Sequence, residues 1–463
     1  MKDENIRDNS HSQKSMTNNS AYEQRRQYLR EERRRKRLRK LKIIRAAVIA
    51  GLVLALILIF LVIKSIFSFI GSLFNKETTE VDAPAVVESQ TYTANILTGG
   101  DIVLHSPFYD STTYLTEDGT YDFNPVFTYI KDTYKAADFT VLDLEAAITE
   151  DYFSGYPLFR TPETILPTLS ENGVDMVLFA NNHIYDAGDS GLESTISALE
   201  KYSMPYMGIK KEKEASAYSI QDINGIKVGM FDYTYETGTI DQKAINGIEV
   251  TDESSDLINS FNYDDLDTFY DTIASGIEDM KKDGAEYLIA YIHWGTEYQT
   301  EESTYQQEMA QKLCDLGIDA LIASHPHVIQ PVDLFTSSTG DHEMICCYSL
   351  GNHLSNQRQE LMDSMPTGHT EDGYMVELTL EQTDDEPVSL TEVQFIPTWV
   401  YKNIIDENAE YYIFRTDAAD NDAETVDTLN IANDLASSLE RTQKIIGEGS
   451  KKVQDALPIS TGN

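Results

Sequence analysis

The sequence predicts an α/β domain carried behind one membrane-spanning helix, on two observations. From about residue 92 onward, short apolar runs rich in β-branched residues alternate with longer amphipathic stretches, which is how strands and helices alternate around a largely buried sheet. Ahead of them, Ala46 to Ile63 is a run of eighteen uncharged, mostly aliphatic residues, long enough to cross a bilayer as a helix.

The strands and helices follow in order. The run TANIL precedes Gly99-Gly100-Asp101, and the helix-like NPVFTYIKDTYKAAD leads into the strand FTVLDLE. VDMVLFA precedes Asn181-Asn182-His183, and GLESTISALEKYS reads as a helix. IKVGMFDYT and EYLIAYIHWG are strands, STYQQEMAQKLCDLG a helix, and IDALIASHPHV and EMICCYSLGN strands again. Residues 372–400 alternate apolar and polar positions as a hairpin does. The acidic stretch after them ends in one expected helix, DTLNIANDLASSLERTQKIIG.

Charge orders the chain as a whole. Its 463 residues carry 36 Lys+Arg against 77 Asp+Glu, a net of -41. Residues 1–45 hold 15 basic and 6 acidic side chains, a net of +9, which leaves 21 against 71, a net of -50, for the rest. A body so acidic repels nucleic acid, so no nucleic-acid partner is expected. Twelve Lys/Arg between Arg25 and Arg45 precede the apolar run, and the positive-inside rule then leaves the N-terminus in the cytoplasm and the body outside. The expected organisation is a basic cytoplasmic tail over 1–45, an uncleaved anchor over 46–70, an extracellular stalk over 71–91, a folded domain over 92–400 and an acidic extension over 401–463. Three cysteines, with Cys346 and Cys347 adjacent, make no disulfide framework, because consecutive strand side chains point apart.

Strand ends carry the chemistry. Asp101 follows one strand, Asp143 and Glu145 end a second, Asn182-His183 a third, His293 a fourth and His325-Pro326-His327 a fifth. Ligands gather at the carboxyl ends of strands in an α/β sheet, and five of the nine histidines, His183, His293, His325, His327 and His353, lie at strand ends. Pro326 disfavours the α region for His325, so the segment is expected to be extended with both imidazoles on one side. A mixed Asp, Glu, Asn and His set suits Mn, Fe or Zn better than Ca or Mg. Trp294 and Tyr298, beside His293, are positioned either to stack on a substrate or to pack in the core. Acidic runs such as Asp384-Asp385-Glu386 are solvated surface, with no full Ca-loop spacing.

Six motifs in order carry a family resemblance: Gly100-Asp101; Asp143-Leu144-Glu145; Ala180-Asn181-Asn182-His183 with Asp186 and Gly188; His293-Trp294-Gly295 with Glu297-Tyr298; Ser324 to Val328 with Gln330-Pro331; and Tyr348 to Asn352. Over about residues 93–355 the chain resembles the CapA (PgsA) family of poly-γ-glutamate capsule biosynthesis proteins. That family is similar in turn to the calcineurin-like metallophosphoesterases, which implies a four-layer α/β/β/α sandwich with two metals between its central sheets. The resemblance implies Asp101 as a ligand of the first metal and Asp143 or Glu145 as the bridging or second-site carboxylate. It implies Asn182, His293 and His325 at the second metal, His327 at the first, and His183 as the acid that protonates a leaving group. Asn352 and His353 join Trp294 as candidate substrate contacts. Two departures stand out: Val103 occupies the position where the phosphoesterase pattern has a His, with His105 two residues further on, and Asp143 stands where the CapA pattern has Asn.

The leading expectation is a membrane-anchored extracellular protein of capsule or anionic wall-polymer biosynthesis, holding one or two divalent ions and partnered with poly-γ-glutamate synthase subunits and the polymer itself. An extracellular metal-dependent phosphoesterase or other hydrolase, and a scaffold subunit with a degenerate site, are the alternatives.

Overall fold

The computed structural model describes residues 89–150, 152–384, 386–417 and 423–461. The expected cytoplasmic tail, membrane anchor and most of the stalk lie outside them. No helix of the described residues is long and apolar enough to cross a membrane.

Two large sheets organise the body. The first joins β1 (Thr91–Ile102), β2 (Phe139–Leu144), β3 (Met176–Leu178) and β4 (Tyr206–Met207) in parallel. The second is built on β5 (Tyr218–Ile223), β6 (Ile226–Tyr235), β7 (Ser260–Phe261), β8 (Tyr287–His293), β9 (Ala320–Ser324), β10 (Val332–Thr336) and β11 (Glu343–Cys347). Within it β7, β6, β8, β9 and β11 run parallel, with β5 and β10 antiparallel. The chain then returns to the first sheet. There β12 (Asn352–Leu354) pairs parallel with β1, while β13 (Asp372–Thr383), β14 (Ser389–Ile405), β15 (Asn408–Arg415) and β16 (Ile459–Ser460) add an antiparallel flank.

Side-chain alternation explains how the two sheets pack. In β8, Tyr287, Ile289 and Tyr291 enter a core shared with Ala94 and Ile96 of β1, Val141 of β2 and Val376 of β13, whereas Leu288, Ala290 and Ile292 face the opposite way. Strands buried on both faces read as continuous apolar runs, which is why YLIAYI shows no polar alternation. The outer face of the second sheet is covered by α4 (Leu266–Lys282) and α5 (Thr304–Leu316), through Phe269, Ile273, Met309 and Leu313. The outer face of the first is covered by α1 (Lys131–Ala136), α2 (Ile165–Asn172) and α3 (Gly188–Tyr202), through Tyr134, Leu166, Leu169, Leu192 and Leu199. Helix α5 starts on a capping box: Ser303 accepts from Gln306 N–H while the Gln306 side chain accepts from Ser303 N–H.

The C-terminal part differs from the expectation. The boundary placed at residue 400 falls inside β14, whose last residues pair with β15. Two helices follow rather than one, Ala423–Leu429 and α6 (Ala432–Ala456). Helix α6 lies so close to β10 that a Cβ on Gly449 would stand 1.6 Å from the Val332 carbonyl oxygen, and Ile446 and Val453 enter the shared core. Polar composition masked these contacts, because only one stripe of the helix is apolar.

Candidate metal centre

The alternation that fills the core also aims the site. Val141 faces the shared core, so Asp143 and Glu145, two and four residues on, point to the same side at the carboxyl end of β2. His293 continues the Tyr287–Ile289–Tyr291 face of β8. In β1 the inward residues are Ala94, Ile96 and Thr98, which alone would turn Asp101 outward. A register shift between Gly99 and Asp101 corrects this, as β-bulges next to functional sites do. The bulge needs glycine, since a Cβ on Gly100 would stand 2.0 Å from the Gly351 carbonyl oxygen.

The imidazoles of His325 and His327 do meet at the site, with ring centroids 6.1 Å apart, yet the segment is not extended. His325 has φ of 104° and His327 φ of 57°. Pro326 restricts the right-handed α region of His325 but leaves this left-handed one accessible. Such non-glycine conformations cost about 1–3 kcal/mol each and persist where surrounding contacts hold them. Here His325 N–H donates to Asp101 Oδ2 (3.3 Å), and Tyr298 N–H donates to the Pro326 carbonyl (2.8 Å).

Ligand atoms converge as two main groups. Asp101, Glu145 and His327 form one, and Glu145, His293 and His325 the other, each with its donor atoms within 4.8 Å of one another; Asp101, Asp143 and His293 form a third, overlapping group. Asn182 Oδ1 lies 2.7 Å from His293 Nε2, and His325 Nδ1 lies 3.2 Å from the same nitrogen. Glu145 is the common member of the two main groups, and both its carboxylate oxygens are buried without a hydrogen-bond partner, as is Asp101 Oδ1. Buried polar atoms are nearly always satisfied. Two unpartnered Glu145 oxygens facing imidazole nitrogens at 3.7–3.8 Å, with a third unpartnered oxygen on Asp101 of the same cluster, therefore fit a divalent cation.

Asp143 is engaged differently. Its Oδ1 accepts from Asn181 Nδ2 (3.2 Å) and its Oδ2 faces His293 Nδ1 (3.2 Å), which leaves His293 Nε2 to point at Asn182 and Glu145. This is the carboxylate–histidine arrangement that orients metal-ligating imidazoles. Asn352 is placed differently: its Oδ1 lies 3.1 Å from His327 Nδ1, the same nitrogen that faces Asp101 Oδ2 (3.4 Å) and Glu145 Oε2 (3.8 Å), and its Nδ2 donates to the His327 carbonyl (3.2 Å). Its amide oxygen therefore stands at the cluster itself, while its amide nitrogen braces the His327 backbone.

Electrostatics match this division. Burial raises the Asp143 carboxyl to about 6 against the lowering pull of His293. For Glu145 burial also acts upward, but the imidazoles of His327 and His293 overcome it and hold the carboxyl well below its ordinary range. His327 is pushed up to about 9: burial opposes its charge, and Glu145 and Asp101 favour it more strongly. His325 is held well below the usual imidazole value by burial and by the neighbouring His293 and His327.

His183 stands at the edge of the cluster, its Nε2 3.7 Å from Glu145 Oε1 and its Nδ1 2.6 Å from Asp186 Oδ2. The expected Trp294 contact is overturned. The indole is fully buried against Tyr348 and donates to the Tyr348 carbonyl (3.0 Å), since Trp294 turns to the helix-covered face, opposite His293. His353 is likewise a core residue: one position beyond Asn352 it faces away from the site, toward Tyr134 and Gly99, and burial lowers it to about 3. At Val103, where the phosphoesterase pattern has a His, the side chain packs with Ala146 and Phe159. His105 is in none of the three donor groups; its Nδ1 lies beside the Val103 carbonyl and Asn356 N–H, and its ring interacts electrostatically with His327, Glu145 and His183.

Two residues that the motifs did not name, Tyr235 and Asp232, belong here beside Tyr298, which the sequence left between substrate and core. Tyr235 lies against His325, ring centroids 4.8 Å apart, and Tyr298 near His327 at 6.1 Å. Asp232 lies behind the site, buried in mid-strand and accepting from Phe179 and Ala180 N–H (3.1 and 3.0 Å). A buried carboxylate inside the apolar run IKVGMFDYT was the available signal.

Fold and site together define an α/β protein with a buried carboxylate–imidazole centre between two sheets, suited to divalent metal. The chain belongs to the family described as "Bacterial capsule synthesis protein PGA_cap", whose profile matches residues 95–357. It is 29% identical over 196 residues to "Capsule biosynthesis protein CapA" of Bacillus anthracis, covering 42% of this chain and 43% of that protein. It is 22% identical over 242 residues to "PGA biosynthesis protein CapA" of Bacillus subtilis (strain 168), covering 50% and 57%. The chain thus matches about half the length of these relatives.

Proposed function

We propose that this chain acts outside the cell in the biosynthesis of poly-γ-glutamate, as capsule or anionic wall polymer, through a metallophosphatase-like site. The observation that carries the reading is Glu145, whose two buried, unpartnered oxygens face two groups of imidazoles. Family membership and the names of the two relatives support the capsule assignment. Two face-to-face sheets under outer helices support the four-layer metallophosphatase-like architecture. The apolar run after the basic tail supports an anchor over 46–70 with the N-terminus in the cytoplasm, and synthase subunits in the membrane are the expected partners.

Asp101, Glu145 and His327 would hold one ion, and Glu145, His293, His325 and Asn182 a second, with Mn, Fe or Zn suited to these donors. When bound, such an ion supplies Lewis-acid polarisation of the substrate and lowers the pKa of a water nucleophile. The protein's own residues do the rest. Asp143 fixes the His293 imidazole, Asn352 braces the His327 backbone through its carbonyl, the surrounding core excludes water, and His183 offers a proton to the departing group from the edge of the cluster. The excess of negative charge repels a polyanion, so recognition of the polymer depends on the cationic centre.

Replacing Asn182, His183 and His325 together with Ala in a deletion strain should abolish extracellular γ-linked glutamate polymer, and unchanged polymer would overturn the reading. Val103 favours a second reading, a scaffold subunit with a depleted first group. Metal analysis of the purified chain separates the two: about two equivalents with turnover of a chromogenic phosphodiester supports the hydrolytic site, and none supports the scaffold.

A further inference from the structure

Between β6 and β7 the chain leaves the seven-stranded sheet in an excursion over residues 236–259. At its centre is a two-stranded ribbon, Ala244–Ile245 with Ile248–Glu249, closed by Asn246 (φ 50°) and Gly247 (φ 71°). Asn-Gly is the residue pair that accommodates a two-residue hairpin with positive φ at both positions. Ile245 is buried in the core that also holds Ile184 and Tyr185, so the ribbon packs on the loop that carries His183. Just beyond it, Thr251 and Ser254 hydroxyls donate to Asp189 Oδ1 (2.8 and 2.6 Å), which also accepts from Tyr185 (2.6 Å). The excursion is thereby tied to the first turn of α3.

At the ribbon tip the Asn246 amide donates to Asp186 Oδ1 (2.9 Å) and stands 3.3 Å from His183 Nδ1. The other carboxylate oxygen, Oδ2, accepts from Phe159 N–H (2.6 Å) and faces His183 Nδ1 (2.6 Å). Three donors thus converge on Asp186 from three segments. A carboxylate held on both oxygens cannot rotate away, so Nδ1–H stays on Asp186 and Nε2 is the nitrogen left facing the cluster. Such outer partners fix tautomer and ring orientation.

We propose that Asn246 is a positioning residue: an arm from the histidine-bearing sheet reaches the carboxylate-bearing half and locks the His183–Asp186 pair in one tautomer and orientation. The catalytic consequence rests on the reading of His183 as proton donor, which requires a second proton on Nε2 while Asp186 keeps the one on Nδ1, whereas the structural one does not.

The test uses the full-length chain. Asn246→Gly keeps the left-handed backbone and removes only the amide, since glycine adopts positive φ freely. Asn246→Asp keeps the shape but sets a second anion against Asp186. Imidazole 15N shifts and the hydrogen-bonded Nδ1 proton of His183, assigned with His183→Gln, report the tautomer. The parent chain should show a slowly exchanging Nδ1 proton, which Asn246→Gly loses to exchange. With Mn²⁺ added, Asn246→Gly should lower kcat on a chromogenic phosphodiester about tenfold at unchanged KM. An unaltered His183 signal in Asn246→Gly overturns the proposal, and should that variant not fold, an unaltered signal in Asn246→Asp does so. If the parent turns over no phosphodiester, the hydrolytic reading falls while the imidazole spectrum still decides the role of Asn246.

Discussion

The two sheets contribute opposite chemistry to one site. The nine-stranded sheet supplies the carboxylates Asp101, Asp143 and Glu145, and the seven-stranded sheet supplies the imidazoles His293, His325 and His327. Neither set is complete alone: the acids would be buried without counter-charge and the imidazoles without ligating partners, an arrangement that costs several kcal/mol for each isolated ion. The shared apolar core behind them brings the halves together. The site is therefore a product of sheet packing as much as of motif chemistry, and each half can be perturbed separately.

The largest effect is expected where the histidine sheet is propped from behind. Trp294 fills the layer between β8 and the outer helices, so Trp294→Ala should cost about 3–5 kcal/mol of stability. Tyr298→Phe, at the half-buried rim, should stay within about 0.5 kcal/mol. Urea unfolding of both variants checks this, and equal losses would mean that Tyr298 is as structural as Trp294.

On the carboxylate side, Glu145→Gln should weaken Mn²⁺ binding by about 100-fold or more, whereas Asp143→Asn, which disturbs only the orientation of His293, should cost about tenfold. Calorimetric titration distinguishes them, and equal losses would make Asp143 a ligand on a par with Glu145. The same titration has a pH dependence with a definite sign. His327 and His293 hold their protons above the ordinary imidazole range when no ion competes, so binding must displace protons. Affinity should rise with pH toward about 9, by up to about tenfold per pH unit for each proton displaced. A flat profile would show that these imidazoles are already neutral.

Much of this comparison was legible in the sequence, for a reason visible in β2 and β8. An apolar run that ends in Asp-Leu-Glu or His-Trp fixes both the strand and which residues share its face, because alternation is strict. What alternation alone could not supply was the bulge that reverses the parity at Asp101, or which member of an adjacent pair enters the site. Trp294 stands beside His293 and His353 is a strand-end histidine beside Asn352, yet neighbours in a strand face opposite ways. The left-handed backbone at His325 and His327 depends on tertiary contacts to Asp101 and Tyr298. The ribbon that carries Asn246 has no periodic pattern, and only the fold shows that it reaches Asp186.

The last effect tests the rule that buried acids here are matched by imidazoles across the interface. Asp319 is a buried acid in the histidine sheet, just before β9, where it accepts from Leu288 N–H (2.7 Å) and its nearest imidazole nitrogen, His342 Nε2, is 4.0 Å away. Burial lifts its carboxyl to about 7, against the lowering effects of Leu288 N–H and Lys281. The unfolded chain titrates this group near an ordinary value of about 3.9. Between these two values the folded state binds the extra proton, so this group favours folding below about pH 4 and opposes it increasingly as pH rises to about 7. The expected loss, across about three pH units between the two values, is at most about 4 kcal/mol. Asp319→Asn keeps an oxygen acceptor for Leu288 and cannot ionise, so its unfolding free energy should lack this share of the decline between pH 4 and 8. Should parent and variant decline in parallel, the fold tolerates the ionised Asp319 without a close imidazole, and the matching of acid with imidazole is confined to the candidate metal centre.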